Sequence, residues 1–123
     1  MIPRIAIAAL LLVSIQTGTA AAGEVDVVDV QVRGSGNTYR FDVTLRHADT
    51  GWDHYADNWE ILTLDGKLLG RRVLLHPHVN EQPFTRSLSG VRIPEGVRQV
   101  RVRGHDMVHG FGGREMVVDL PGR

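Results

Sequence analysis

All six histidines of the chain fall at or beside three short segments: 47–57 (HADTGWDHYAD), 76–86 (HPHVNEQPFTR) and 105–113 (HDMVHGFGG). Imidazole is a strong ligand for zinc and copper(II), and carboxylate is its common companion. His76-Pro77-His78 is the sharpest local pattern. Proline holds the preceding residue extended, and residues two apart on extended chain face the same side, so this pair could chelate one ion through two rings. The plainer alternative is that one ring caps a strand end and the other meets solvent. Asp53-His54 and Asp57 add an imidazole and two carboxylates, and Asp106 and His109 precede Gly110, Gly112 and Gly113 in a turn-rich stretch.

The candidate ligands are therefore His76 and His78 with His54 or His109, and a carboxylate from Asp53, Asp57 or Asp106. His47 and His105 lie at strand ends and are read as structural. A second candidate surface uses Trp52, Tyr55, Phe84 and Phe111, with Glu81 and Arg86 nearby, to hold a protein or glycan partner without metal. The bland reading of those aromatics is a hydrophobic plug. Arg86 is expected to pair with Glu81 or Asp57 and so to hold the loops and orient the imidazoles.

These segments need a scaffold, and the pattern between them has period two. Apolar residues alternate over 25–32, with a slip at Val27–Val28 that marks a bulge. Over 39–47 the alternation is cleanest: Tyr39, Phe41, Val43 and Leu45 on one face, Arg40, Asp42, Thr44 and Arg46 on the other. Further strands are expected over 58–64, 67–75, 84–91, 97–104 and 114–120. Asp65-Gly66 suggests a two-residue type I′ turn, and Ile93-Pro94-Glu95-Gly96 another turn. About seven short strands with regular turns predict an all-β fold, an immunoglobulin- or fibronectin type III-like β-sandwich. An open barrel of the same strands is the alternative. Trp59 is the candidate core tryptophan. If successive strands alternate in direction, the three histidine-bearing segments all fall at one end, and the short turns at 65–66 and 94–96 at the other.

Residues 1–22 read as a signal peptide, and 23–123 as the β-sandwich domain. Arg4 is followed by an apolar run over 5–15, too short to span a bilayer comfortably, and then by small residues. Ala20 and Ala22 fit cleavage after Ala22; cleavage after Ala20, or retention as an anchor, are the alternatives. The expected location is periplasmic or secreted, and no later segment is apolar enough for a membrane span.

The chain has no cysteine, which excludes disulfides, thiolate sites and thiol nucleophiles. With 14 basic and 14 acidic residues the formal net charge is zero, so nothing steers nucleic acid. Ser87 and Ser89 fall within a strand and no HExxH helix is present, so enzyme activity is left open and not favoured. The Arg98, Arg101, Arg103 stripe reads as a solvated sheet face.

The phrases GWDHYADNWEIL, LLGRRVLLHPHVNEQPFTRSLSGVRIPEGV and VRVRGHDMVHGFGG resemble small exported bacterial β-sandwich proteins, a family without an assigned function. That resemblance covers most of 23–123. It implies an exported domain and brings no ligand residues with it. Copper-handling periplasmic β-sandwiches are a looser analogy; with only Met107 and Met116 beyond the leader, thioether-rich Cu(I) binding is disfavoured and zinc or copper(II) preferred. The expected function is binding of such an ion by loop histidines and aspartates, weakening below about pH 6 as imidazoles protonate. The alternative is a non-enzymatic protein- or glycan-interaction module on the same surface. Oligomeric state is not indicated.

Overall fold

The computed structural model describes residues 23–123, and the expected signal peptide lies outside them. Seven strands form in order: β1 (Asp26–Ser35), β2 (Thr38–Arg46), β3 (Ala56–Leu62), β4 (Leu68–Val73), β5 (Phe84–Arg92), β6 (Gln99–Asp106) and β7 (Met116–Asp119). They make two antiparallel sheets, β1-β2-β5 and β4-β3-β6-β7. This is the β-sandwich that the alternation predicts.

The core forms where inward-facing positions of the two sheets meet. Tyr39, Phe41, Val43 and Leu45 of β2 face Trp59 and Ile61 of β3 and Val100 and Val102 of β6, all buried. The expected bulge falls between Val27 and Asp29. It keeps both Val27 and Val30 buried although they are three apart. Gly104 on β6 is a close approach between the sheets: a Cβ there would lie 2.3 Å from Val25 Cγ1.

The 65–66 turn departs from expectation. Among the described residues no non-glycine has positive φ, and of the two only Gly66 does, at 95°, so a type I′ turn is excluded. The loop is wider and built on a side chain. Thr63 Oγ1 donates to Asp65 and accepts the Lys67 amide at 2.8 Å, while Gly66 N donates to Thr63 O at 3.0 Å. A hydroxyl that satisfies the loop's own backbone competes with the tight hairpin.

The opposite end carries the long loops, and they touch. His47 N donates to Gln82 Oε1 at 3.0 Å, and Asp49 accepts the His78 amide at 2.7 Å. His54 and His109 rings lie 4.9 Å apart. The end with short turns is closed differently. There Arg123 donates to the carbonyls of Gly36, Ile93, Pro94 and Val97 and to the Tyr39 hydroxyl.

Candidate functional site

At the loop end, strand phase decides which side chains meet. β6 runs two residues past its expected end, to Asp106. Neighbours on a strand face opposite ways, so Asp106 points into the sandwich, fully buried, while His105 points out. Asp57 sides with His105, whose Nδ1 lies 2.5 Å from Asp57 Oδ1. Asp57 is thereby paired away from the inner cluster.

Asp106 is locked by its own turn. Oδ1 accepts the amides of Val108 at 2.8 Å and His109 at 2.6 Å, and Gly110, at φ 70°, lets the chain fold back to pair with Asp106. Oδ2 is buried and has no hydrogen-bond partner among the described residues. Burial alone would raise the pKa of this carboxyl, but the two amides, with His47 and His109, outweigh it and hold the value below the usual aspartate range. It stays ionised, a negative charge in a buried position.

Three imidazoles face that charge. His47 Nε2 lies 3.6 Å from Asp106 Oδ2, and His54 Nε2 and His109 Nδ1 each lie 3.4 Å from Oδ1. His109 Nδ1 is 3.2 Å from His54 Nε2. A tetrahedral ion with bonds of about 2.0–2.1 Å separates its ligand atoms by about 3.3–3.4 Å. The His54, His109 and Asp106 atoms already form a triangle of nearly that size, and one ligand atom from each of His47, His54 and Asp106 lies within 4.8 Å of the others. The carbonyl of Gly23 sits over the same atoms, 2.8 Å from His47 Nε2 and 3.2 Å from His54 Nε2.

His47 is the member that sequence reasoning set aside as structural. It continues the inward face of β2, beyond Leu45, into the end of the sandwich. Asp49 then fixes its ring: Oδ1 takes His47 Nδ1 and the Ala56 amide, at 3.0 Å for the latter, and Oδ2 takes the His78 amide. A carboxylate on one imidazole nitrogen orients the other nitrogen outward, as in many metal centres. The available signal was the His47-x-Asp49 spacing. His54 is positioned by a tight turn: Gly51 and His54 bridge, leaving Trp52 and Asp53 exposed at the tip. Asp53 therefore points to solvent.

The His76-Pro77-His78 pair is drawn elsewhere. Their rings lie 4.6 Å apart, but His78 is buried, stacked on Phe84 at 3.9 Å and 9°, and its Nε2 accepts from Arg86 Nη2 at 2.9 Å. Burial first, then the charges of Arg86 and His76, push the His78 pKa down and keep the ring neutral. A nitrogen committed to a guanidinium is withdrawn from chelation. His76 is exposed beside it. Arg86 also donates to Glu81, at 3.3 Å, and to the Thr85 carbonyl; of its two expected partners, it pairs with Glu81 and not Asp57. The aromatics divide. Phe84 is buried in the core, which removes it from any contact surface. Trp52 is 65% exposed and Phe111 37%, and Tyr55 packs edge-on against Trp52.

Over 97 residues, 78% of its length, the chain is 53% identical to a protein of Halomicrobium mukohataei described as "Putative lipoprotein", and it spans 47% of that protein. No protein-family profile matches the chain, and no solved structure matches it.

Proposed function

We propose that this is an exported β-sandwich domain that binds one divalent transition-metal ion at its loop end, through His47 Nε2, His54 Nε2 and Asp106, with His109 Nδ1 beside them. The carrying observation is the triangle of His54 Nε2, His109 Nδ1 and Asp106 Oδ1, with sides of 3.2–3.4 Å, and His47 Nε2 lying 3.6 Å from Oδ2 of the same buried carboxylate. A set of imidazoles and one carboxylate without thiolate suits zinc or copper(II). Asp49 supplies the outer partner that such a site needs. Export is supported by the leader-like residues 1–22 and by the lipoprotein description of the relative. Among the described residues no helix is long and apolar enough to cross a membrane.

The test is metal content by mass spectrometry on untagged protein recovered after export, followed by calorimetric titration with Zn(II) and Cu(II). About one equivalent at sub-micromolar affinity is expected, reduced at least about tenfold, the scale of losing a ligand's support, in His54→Ala and His109→Ala and unchanged in His76→Ala. Absence of binding, or equal loss in His76→Ala, overturns the assignment.

A second reading rests on the exposure of Trp52 at the turn tip: a protein or glycan partner held by Trp52, Tyr55 and Phe111, without Phe84. Its mark is partner or glycan binding that survives metal removal and is lost in Trp52→Ala.

A further inference from the structure

Gly23 is built into the cluster. Its carbonyl faces the same two imidazole nitrogens that face Asp106, 2.8 Å from His47 Nε2 and 3.2 Å from His54 Nε2. Its Cα is pressed against a third: a Cβ there would lie 2.4 Å from His109 Cε1 and 2.9 Å from Nδ1, and φ is 111°. Only glycine fits, and it fits against the ring of a proposed ligand.

The segment that follows is firmly held. Gly113 lies so close that its Cβ would fall 1.8 Å from Val25 O. Val27 N donates to Arg114 O at 2.8 Å, Arg114 N donates to Asp26 Oδ1 at 2.7 Å, and Val25 is buried. Gly23 is thus delivered to the cluster by a backbone clamped within the next few residues.

The nitrogen of Gly23 is an amide while residue 22 is attached, with no lone pair to offer a metal ion. Hydrolysis of the Ala22–Gly23 bond gives the Ala22 carboxylate and a primary amine on Gly23. An α-amine and the carbonyl oxygen of the same residue close a five-membered chelate ring when both bind one ion, and the Gly23 carbonyl already lies at the cluster.

We propose that leader cleavage after Ala22 completes the centre: the new α-amino group of Gly23 becomes a metal ligand, chelating with its carbonyl oxygen beside His47, His54 and Asp106. This rests on the metal reading above and adds to it. The ion then binds the processed, exported chain in preference to the precursor, so loading is coupled to passage across the membrane.

The experiment compares two chains that differ by one residue, 23–123 and 22–123, with the N-terminus of the exported protein first fixed by intact mass. Zn(II) and Cu(II) titrations are run on both, with urea unfolding as a control for folding. The expected result is an exported chain that begins at Gly23 and binds at least about tenfold more tightly than the chain retaining Ala22, a loss on the scale of removing a supporting partner. In the shorter chain the bound ion protects the α-amine from acylation at neutral pH; in the longer chain it does not. Equal affinity in the two chains, an exported chain beginning at Ala21, or an α-amine acylated equally with and without metal overturns the inference and leaves the imidazole–carboxylate site standing. No binding by either chain overturns the metal reading itself.

Discussion

Asp49→Asn exchanges one oxygen for a donor at the point where the first two loops are tied together. Asp49 is buried, and its two oxygens serve three groups: His47 Nδ1 and the Ala56 amide on one, the His78 amide on the other. An asparagine that keeps its oxygen toward His47 and Ala56 must turn its NH2 toward the His78 N–H, donor against donor at 2.7 Å. A buried amide left without an acceptor costs about 1–3 kcal/mol. Replacing the charged acceptor of His47 by a neutral one costs about 1 kcal/mol more. The apo protein should therefore lose about 2–4 kcal/mol, a large part of the stability of a typical domain but not all of it. Because Asp49 orients His47, metal affinity should fall about 10- to 100-fold, or about 1.4–2.7 kcal/mol. Urea unfolding of the apo protein measures the first quantity and zinc titration the second. Wild-type zinc affinity in a destabilised variant would refute the role given to His47. Unchanged stability would refute the network itself.

Glu60 supplies a test away from the site. Burial works against its ionisation, but hydrogen bonds from Arg71 and Arg103 prevail and lower its pKa below 4.5. A depressed folded pKa contributes stability that is present above the unfolded value and lost as pH falls through the folded one. Glu60→Gln should cost about 1–2 kcal/mol at neutral pH, discounted for the exposure of both arginines, and the gap to wild type should close below about pH 4; a gap that stays constant from about pH 7 to 3 in urea unfolding counts against the pairing. Gly113→Ala places a methyl against Val25 backbone that cannot yield and should cost at least about 2–3 kcal/mol. Hydrogen exchange at the Val27 amide, bonded to Arg114, should quicken; exchange at the wild-type rate would show that the N-terminal segment is not clamped there.

The sheet was legible because one face of each strand is buried and period two records it: Tyr39, Phe41, Val43 and Leu45 are all core. The gathering of the histidine loops at one end followed from counting strand directions. The site was only partly legible. His54, His109 and Asp106 were among the expected ligands and are brought together. His47 was not, because a histidine continuing an apolar face looks like a cap until the Asp49 carboxylate is seen on its far nitrogen. The opposite happened at His76-Pro77-His78, where local spacing suggested chelation but Arg86, eight residues on and across a loop, takes the lone pair of His78. Asp106 was not singled out over Asp57 because β6 was expected to end at 104; its two-residue extension is what puts Asp106 on the inward face with Val100 and Val102.

His47 extends a strand of one sheet and Asp106 ends a strand of the other, and a chain without cysteine has no covalent bond between them. An ion shared by these two residues would serve as a removable rivet between the layers. With zinc, which has no redox chemistry, reduction would not open it. Its strength would instead follow the free ion concentration around the protein, reaching about 4 kcal/mol at a thousandfold excess over the dissociation constant, comparable to a disulfide. The rigidity of the domain would then report the metal content of its surroundings.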